Sequence, residues 1–256
     1  MRKKIVCGNW KMNTGRDEAM RLASSIENNL SPSNLEVIVC PPFVYLEQVK
    51  GVISKITLGA QNCYSENNGP FTGEISAPQL KDFCSYVILG HSERRKFFKE
   101  KDEDISRKVK ITIEAGLIPI VCVGETKEER QDKKQNKIID KQVSSVLEGF
   151  SEDQVLKTIF VYEPVWAIST FGTGEICDVS LTLPAVGLIR NIIADKFKKS
   201  VSENISVLYG GSVNSSNVKE FAKEKEIDGV LVGAKSLDAN DFLKIVKEME
   251  KQCFTQ

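Results

Sequence analysis

The 256-residue sequence has little of three features that would direct it to particular classes of function. It has a single histidine, it has no net charge because 35 Lys and Arg balance 35 Asp and Glu, and no apolar run approaches the length of a membrane span. The balanced charge argues against the basic surface of a nucleic-acid-binding protein. We therefore expect neither nucleic acid nor a membrane among its partners.

Signatures of metal sites and of disulfide frameworks are also missing. The seven cysteines are scattered, none forms a C-x-x-C pair, and the lone histidine allows no H-E-x-x-H motif. The start of the chain, MRKKIVCGNWK, lacks the apolar stretch of a signal peptide. We expect no bound metal and a reducing, cytoplasmic environment.

A short apolar run followed by a polar or glycine-containing stop and then a charged amphipathic stretch recurs along the chain. The runs are IVCGN (5–9), VIVCPP (37–42), ITLGAQN (56–62), YVILGH (86–91), IPIVCVGE (118–125), IFVYEP (159–164), VLYGGS (207–212) and GVLVGA (229–234). They are rich in Val, Ile and Leu without strict alternation, which is typical of parallel strands covered on both faces. No linker divides residues 1–256, so eight such units predict a single (β/α)₈ barrel, with a doubly wound open sheet as the alternative.

Polar residues follow the strand ends, and a barrel would gather them at one mouth, where active sites of this fold lie. They are Asn9, Lys11, Asn62, His91, Glu163, Tyr209, Ser212 and Gly233. The charged run TKEERQDKKQNK (126–137) is interpreted instead as a solvated helix face.

His91 and Glu163 are the candidates for acid–base chemistry. His91 ends a strand just before a predicted helix, whose positive N-terminus disfavours the imidazolium, so a neutral ring could donate a hydrogen bond. Glu163 is followed by Pro164, which stiffens the corner, and then by the glycine-containing segment 172–174. A carboxylate in a pocket that can close suits a general base. Read alone, a single histidine is more often structural than catalytic, and Glu163 could equally be a capping or salt-bridging carboxylate.

Anion binding is indicated at three places. Lys11 follows the first strand between Trp10 and Met12, although a lysine is most often an ordinary surface residue. Gly210-Gly211-Ser212 and Gly233-Ala234 follow the last two predicted strands. Loops at those positions of a barrel often bind phosphate through backbone amides.

Taken together, these segments resemble the triosephosphate isomerase family from about residue 2 to residue 250. The matching motifs are GNWKMN (8–13), AQNCY (60–64), FTGEIS (71–76), LGHSERR (89–95), CVGE (122–125), YEPVWAI (162–168), YGGSV (209–213) and DGVLVG (228–233). The resemblance implies a glycolytic enzyme that interconverts dihydroxyacetone phosphate and glyceraldehyde 3-phosphate without a cofactor. It also implies a cytoplasmic homodimer, with Thr72 in the loop that enters the partner subunit.

The resemblance assigns roles residue by residue. Glu163 matches the base, His91 the electrophile, and Glu93 a supporting acidic residue. Substrate-binding positions are matched by Asn9, Lys11, Gly172, Ser212, Gly233 and Ala234.

Two departures from the family pattern concern the phosphate end of the site. The segment that forms the lid over the site in this family has the pattern WAIGTG, whereas here it is WAISTFGTG, so Ser169, Thr170 and Phe171 are extra residues. The second departure follows the eighth predicted strand, where Gly233 is succeeded by Ala234 and Lys235. We expect the fold to tolerate the longer lid, because a few added residues cost little closure entropy. Two other functions stay open at this point, an aldolase-type lyase with a Schiff base on Lys11 and a phosphate binder without activity.

Overall fold

The computed structural model describes residues 2–31, 34–168 and 177–251, and in these ranges the chain forms a closed barrel. Its parallel strands are hydrogen-bonded in chain order, and the last pairs with the first. They are β1 Ile5–Asn9, β2 Glu36–Cys40, β3 Thr57–Ala60, β4 Tyr86–Leu89, β5 Ile118–Val123, β6 Ile159–Tyr162, β7 Val207–Tyr209 and β8 Gly229–Val232. The predicted barrel is confirmed, and the open sheet was the wrong alternative.

Helices connect successive strands and surround the barrel. They are α1 Arg16–Asn29, α2 Leu46–Lys50, α3 Ala77–Leu80, α4 Ser92–Phe97, α5 Asp102–Glu114, α6 Lys127–Gln131, α7 Gln135–Val146, α8 Glu152–Leu156, α9 Val179–Lys196, α10 Lys199–Asn204, α11 Val218–Ala222 and α12 Ala239–Lys251. Short 3₁₀ helices cover 43–45, 165–167 and 234–237. Within the described ranges, none of these helices combines the length and the apolar character needed to cross a bilayer.

Side chains of each strand alternate between two apolar layers. In β1, Ile5 and Cys7 belong to the cluster inside the barrel, whereas Val6 belongs to the layer between strands and helices. The inner cluster is completed by Ile38, Cys40, Tyr86, Ile88, Ile120, Cys122, Ile159, Val161, Leu208 and Leu231. Because both faces of the strands are covered, the sequence shows apolar runs instead of alternation.

The helices bury one apolar stripe each. In α5, Ile105, Val109, Thr112 and Ile113 are buried at the spacing of one helix face. This packing holds the strands in register, so that their C-terminal ends and the loops after them meet at one mouth.

Candidate active site at the barrel mouth

A cavity of about 180 Å³ opens among the loops that follow β1, β4, β6, β7 and β8. Its lining includes predicted site residues from five separate parts of the chain: Asn9, Lys11, His91, Glu163, Ser212, Gly233 and Ala234. Glu93 is not part of the lining but contacts Lys11, and Gly172 lies outside the described residues. Barrel closure therefore brings together side chains up to 225 positions apart, as Asn9 and Ala234 are.

Lys11 is held in place through both its backbone and its ammonium group. Its backbone has a φ of 53°, a left-handed conformation that is uncommon for a residue with a side chain. The Lys11 amide donates to Asn9 Oδ1 at 3.0 Å, and the Lys11 carbonyl accepts from Gln61 Nε2 at 2.7 Å. These contacts hold the strained backbone and direct the side chain along the mouth.

Glu93 is the charge partner of Lys11. Lys11 Nζ donates to Glu93 Oε1 at 2.7 Å, and the side chains are about one-fifth exposed. The ammonium also lies near Gly233, where an added Cβ would be 3.8 Å from Nζ. Lys11 is therefore a positioned cation between the helix after β4 and the loop after β8.

His91 is the N-cap residue of α4, as the sequence predicted from its place between strand and helix. Its Nδ1 accepts a hydrogen bond from the Glu93 amide at 3.3 Å. A ring nitrogen that accepts from an amide carries no proton, so the proton is on Nε2 and the imidazole is neutral. Nε2 faces the cavity and lies 3.1 Å from Glu163 Oε1.

Glu163 is almost fully buried, at 2% exposure, and is fixed at both ends. Its amide donates to the Val123 carbonyl at 2.7 Å, and its Oε2 accepts from the Ser92 amide at 3.0 Å. The second carboxylate oxygen meets His91 Nε2. The carboxylate thus lies within hydrogen-bond distance of the neutral imidazole at the wall of the cavity.

Close neighbours surround both the backbone and the side chain of Glu163. An added Cβ at Gly124 would lie 1.9 Å from the Glu163 carbonyl oxygen, and one at Gly210 would lie 3.0 Å from Glu163 Cγ. The Cys122 thiol also lies beside Glu163, and burial together with that carboxylate raises the Cys122 pKa well above its usual value. Gly124 therefore permits the close approach of the Glu163 backbone, whereas Gly210 and the small neutral Cys122 thiol leave little room beside the side chain.

The opposite end of the cavity is formed by the loops after β7 and β8. Residues 210–214 and 233–235 line it, and most of these contribute backbone or small side chains. The loop after β7 is fixed by two asparagines, because the Asn214 amide donates to Asn217 Oδ1 at 2.9 Å and the Asn217 amide donates to Asn214 Oδ1 at 3.1 Å. Backbone amides beside Lys11 are suited to a phosphate group.

Metal ligands are not clustered in this region. Across residues 2–31, 34–168 and 177–251, no group of three or more His, Cys, Asp or Glu side chains is arranged to hold a metal ion. The polar groups in and beside the mouth are one neutral imidazole, two carboxylates, two ammonium groups, the side chains of Asn9, Asn214 and Ser212, and backbone amides. Such a set suits proton transfer on a small phosphate ester.

Comparison with known proteins identifies the family. The sequence model described as triosephosphate isomerase matches residues 4–249. The chain belongs to the triosephosphate isomerase family. Triosephosphate isomerase of Alkaliphilus oremlandii is 43% identical over 249 residues, covering 96% of this chain and 99% of that protein. The protein of the same name from Dictyoglomus thermophilum is 45% identical over 251 residues, covering 96% of this chain and 100% of that protein.

Family membership settles the class of reaction. The chain is an isomerase, and it interconverts dihydroxyacetone phosphate and D-glyceraldehyde 3-phosphate through an enediolate, a step of glycolysis. The two alternatives that the sequence left open, a phosphate binder without activity and an aldolase-type lyase, are therefore not favoured, because neither is an isomerase.

Glu125 organises the segment that leads away from Glu163, a role that the sequence did not indicate. It is fully buried, and its Oε1 accepts from Trp166 Nε1 at 2.8 Å, Arg130 Nη1 at 3.0 Å and Tyr162 Oη at 3.1 Å. The Arg130 guanidinium also stacks on the Trp166 ring at 4.8 Å. The run 126–137, interpreted as a solvated helix face, therefore includes a side chain that faces inward, that of Arg130.

One further residue, Gln61, supports the mouth and was missed by the sequence analysis, and the predicted site residue Ser212 makes a contact that was not foreseen. Gln61 Nε2 donates to the carbonyls of both Lys11 and Cys40, and Ser212 Oγ donates to the Ala167 carbonyl at 2.7 Å. Their partners are backbone atoms distant in sequence, which no local pattern encodes. The extra residues Ser169, Thr170 and Phe171 lie outside the described residues.

Proposed function

We propose that Glu163 is the single base of this isomerisation. Converting a hydroxyketone to a hydroxyaldehyde requires removal of a proton from one carbon and its return to the neighbouring carbon. One carboxylate can serve both carbons if it is held over their shared face. The observation that carries the proposal is the buried Glu163 carboxylate, fixed by the Ser92 amide and facing the cavity.

His91 and Lys11 stabilise the charge that develops on oxygen. Proton removal leaves an enediolate, and the neutral His91 can donate its Nε2 proton toward that oxygen without first losing charge of its own. The Lys11 ammonium supplies the positive charge on the same side of the cavity, with Glu93 fixing its position. Both donors are in place before substrate arrives, so little reorganisation is needed as the charge forms.

The phosphate group is bound at the other end of the mouth. We infer contacts from Lys11, Asn9 and Ser212, and from the backbone amides of Gly233 and Ala234. Gly172, in the segment outside the described residues, would add an amide when that segment closes over the substrate. Exclusion of water protects the enediolate, which can otherwise expel phosphate.

A coupled spectrophotometric assay in both directions tests the reaction directly. We expect turnover without added metal or cofactor, and no covalent adduct on the chain by mass spectrometry after treatment with borohydride in the presence of substrate. Covalent trapping of substrate on Lys11 would instead indicate a Schiff-base lyase. The existing ion pair argues against that, because a Schiff base forms from an unprotonated amine and Lys11 Nζ donates to Glu93.

We also propose that one catalytic domain, residues 1–256, forms a homodimer through the loops after β1 to β4. Thr72 is exposed at the tip of the loop after β3, whose Tyr64 and Phe71 rings pack at 4.6 Å. Several large apolar side chains are exposed on the same loops, which favours a protein interface there. They are Met12, Val44, Phe71, Phe97 and Phe98.

Sedimentation velocity tests the dimer. The wild-type chain is expected to sediment as a dimer, and Thr72→Arg should shift it toward monomer because a charge enters the contact. A wild-type chain that stays monomeric at micromolar concentration contradicts the proposal.

A cytoplasmic location is the last part of the proposal. The six cysteines in the described ranges are all free and buried, which fits a reducing compartment. Fractionation of the native cells should recover the isomerase activity with the cytoplasmic fraction, and activity in the extracellular fraction would contradict it.

A further inference from the structure

A second lysine lies at the phosphate end of the mouth. Lys235 is in the 3₁₀ helix Ala234–Leu237 and lines the same cavity as Lys11 and Gly233. The other charged side chain of this lining is Glu163, at the far end where the proton is moved. In the described part of the lining, the phosphate end therefore has two cations.

Each of these two lysines has a carboxylate partner outside the cavity lining. Lys11 pairs with Glu93 at 2.7 Å, and Lys235 Nζ lies 3.0 Å from Asp241 Oδ2 in the first turn of α12. The pairs differ in exposure, because the Lys235 side chain is 54% exposed and that of Lys11 is 19% exposed. An ion pair whose lysine is this exposed contributes little stability, so the Lys235 ammonium can exchange one anion for another.

Asp241 is the fixed member of the second pair. Its Oδ1 accepts from Ser215 Oγ at 2.6 Å, and its side chain is only 17% exposed. The hydrogen bond from Ser215, followed by that from Lys235, lowers the Asp241 pKa from its usual value. Asp241 therefore stays ionised at neutral pH, while the long Lys235 side chain is the part that can move.

We propose that Lys235 is a further substrate-binding residue, whose side chain turns from Asp241 to the phosphate dianion of the substrate. Asp241 competes for the ammonium group and so limits the affinity for phosphate. The inference rests on the proposed binding of phosphate between the loops after β7 and β8. A dianion entering the mouth then meets two cations that line one cavity. Competition from Asp241 keeps the affinity for phosphate low enough for product release.

The same three residues permit a purely structural interpretation, which makes the opposite prediction. Ser215 follows β7, Lys235 follows β8 and Asp241 begins α12, so their contacts could merely tie the two loops together. If these contacts only hold the two loops together, loss of either Lys235 or Asp241 would disturb the loops and weaken phosphate binding. If Lys235 binds phosphate, loss of Asp241 frees the ammonium and strengthens binding.

The test compares Lys235→Ala with Asp241→Asn in steady-state kinetics and in inhibition by inorganic phosphate, at low and at high ionic strength. We expect Lys235→Ala to raise KM and the phosphate Ki by roughly three- to tenfold at low salt with kcat unchanged. Asp241→Asn should lower the phosphate Ki by roughly two- to threefold, and both effects should shrink with added salt. Lys198→Ala is the matched control, because Lys198 is an exposed lysine paired with Glu152 at 2.7 Å and outside the cavity lining.

Equal-signed effects of the two variants, or a phosphate Ki unchanged in Lys235→Ala, overturn the proposal. If Asp241→Asn does not fold, Lys235→Glu decides, since the reversed charge should raise the phosphate Ki more than Lys235→Ala does. Phosphate binding measured by calorimetry needs no turnover. A chain that binds phosphate as expected but fails to isomerise would therefore contradict the proposed mechanism and leave the role of Lys235 supported.

Discussion

Replacing Glu125 with glutamine removes one charge from the centre of a buried network and little volume. Trp166 Nε1, Arg130 Nη1 and Tyr162 Oη all donate to the same carboxylate oxygen. The 3₁₀ helix that contains Trp166 connects Glu163 to the segment that we expect to close over substrate. Glu125→Gln therefore tests whether this network holds the start of that segment.

The expected loss of stability follows from the three hydrogen bonds. A bond to a charged group contributes about 1.5–3 kcal/mol and a bond between neutral groups about 0.5–1.5, so each bond loses about 1 kcal/mol. Arg130 is 28% exposed and recovers part of its share from water. The net destabilisation should be about 2–3 kcal/mol, which lowers Tm by about 4–12 °C for a chain of this length.

Thermal melting at matched protein concentration and steady-state kinetics measure the two consequences. We expect the Tm shift above and a fall in kcat/KM of roughly tenfold, because a small displacement near the reacting groups is costly. Glu152→Gln removes an exposed carboxylate and should leave both quantities unchanged. A Glu125→Gln variant that melts within 1 °C of wild type, with normal kinetics, would refute the reasoning.

Three other substitutions test the mouth itself. Lys11→Met should weaken binding of a phosphate-bearing competitive inhibitor by about 2–4 kcal/mol, or roughly 30- to 1000-fold, in calorimetry, and unchanged affinity would place Lys11 outside the site. His91→Gln should lower kcat by roughly 100-fold while KM changes by roughly threefold or less, because its proton matters most as charge develops; a KM effect alone would contradict this. Gly210→Ala places a Cβ 2.6 Å from Val161 Cγ1 and 3.0 Å from Glu163 Cγ. It should lower kcat at least about tenfold with phosphate Ki preserved, whereas wild-type turnover would show that both neighbours have room to move.

The barrel could be predicted because its signals are local. Each strand is a run of apolar residues, and its end is marked by a glycine or a polar residue, as at Asn9 and His91. The structure confirms all eight strands to within a few residues. The N-cap position of His91 was predictable for the same reason, since strand, histidine and helix are contiguous.

The supports of the mouth could not be predicted because they join distant segments. Glu125 follows β5 in a motif that any strand end could show, and only the folded chain brings Tyr162, Trp166 and Arg130 around it. The run 126–137 is strongly charged, so its composition concealed the one inward-facing arginine. Gln61 and Ser212 bind backbone carbonyls, which have no sequence signature at all.

The central claim is that Glu163 moves the proton on carbon, and solvent exchange measures this most directly. In D₂O, NMR of the triose phosphates should show that the wild-type chain incorporates deuterium on carbon during turnover. Glu163→Gln should slow both exchange and isomerisation by about 10²–10⁴-fold while the inorganic phosphate Ki stays within about threefold of wild type. Exchange at the wild-type rate in purified Glu163→Gln would contradict the account, because another group would then be the base.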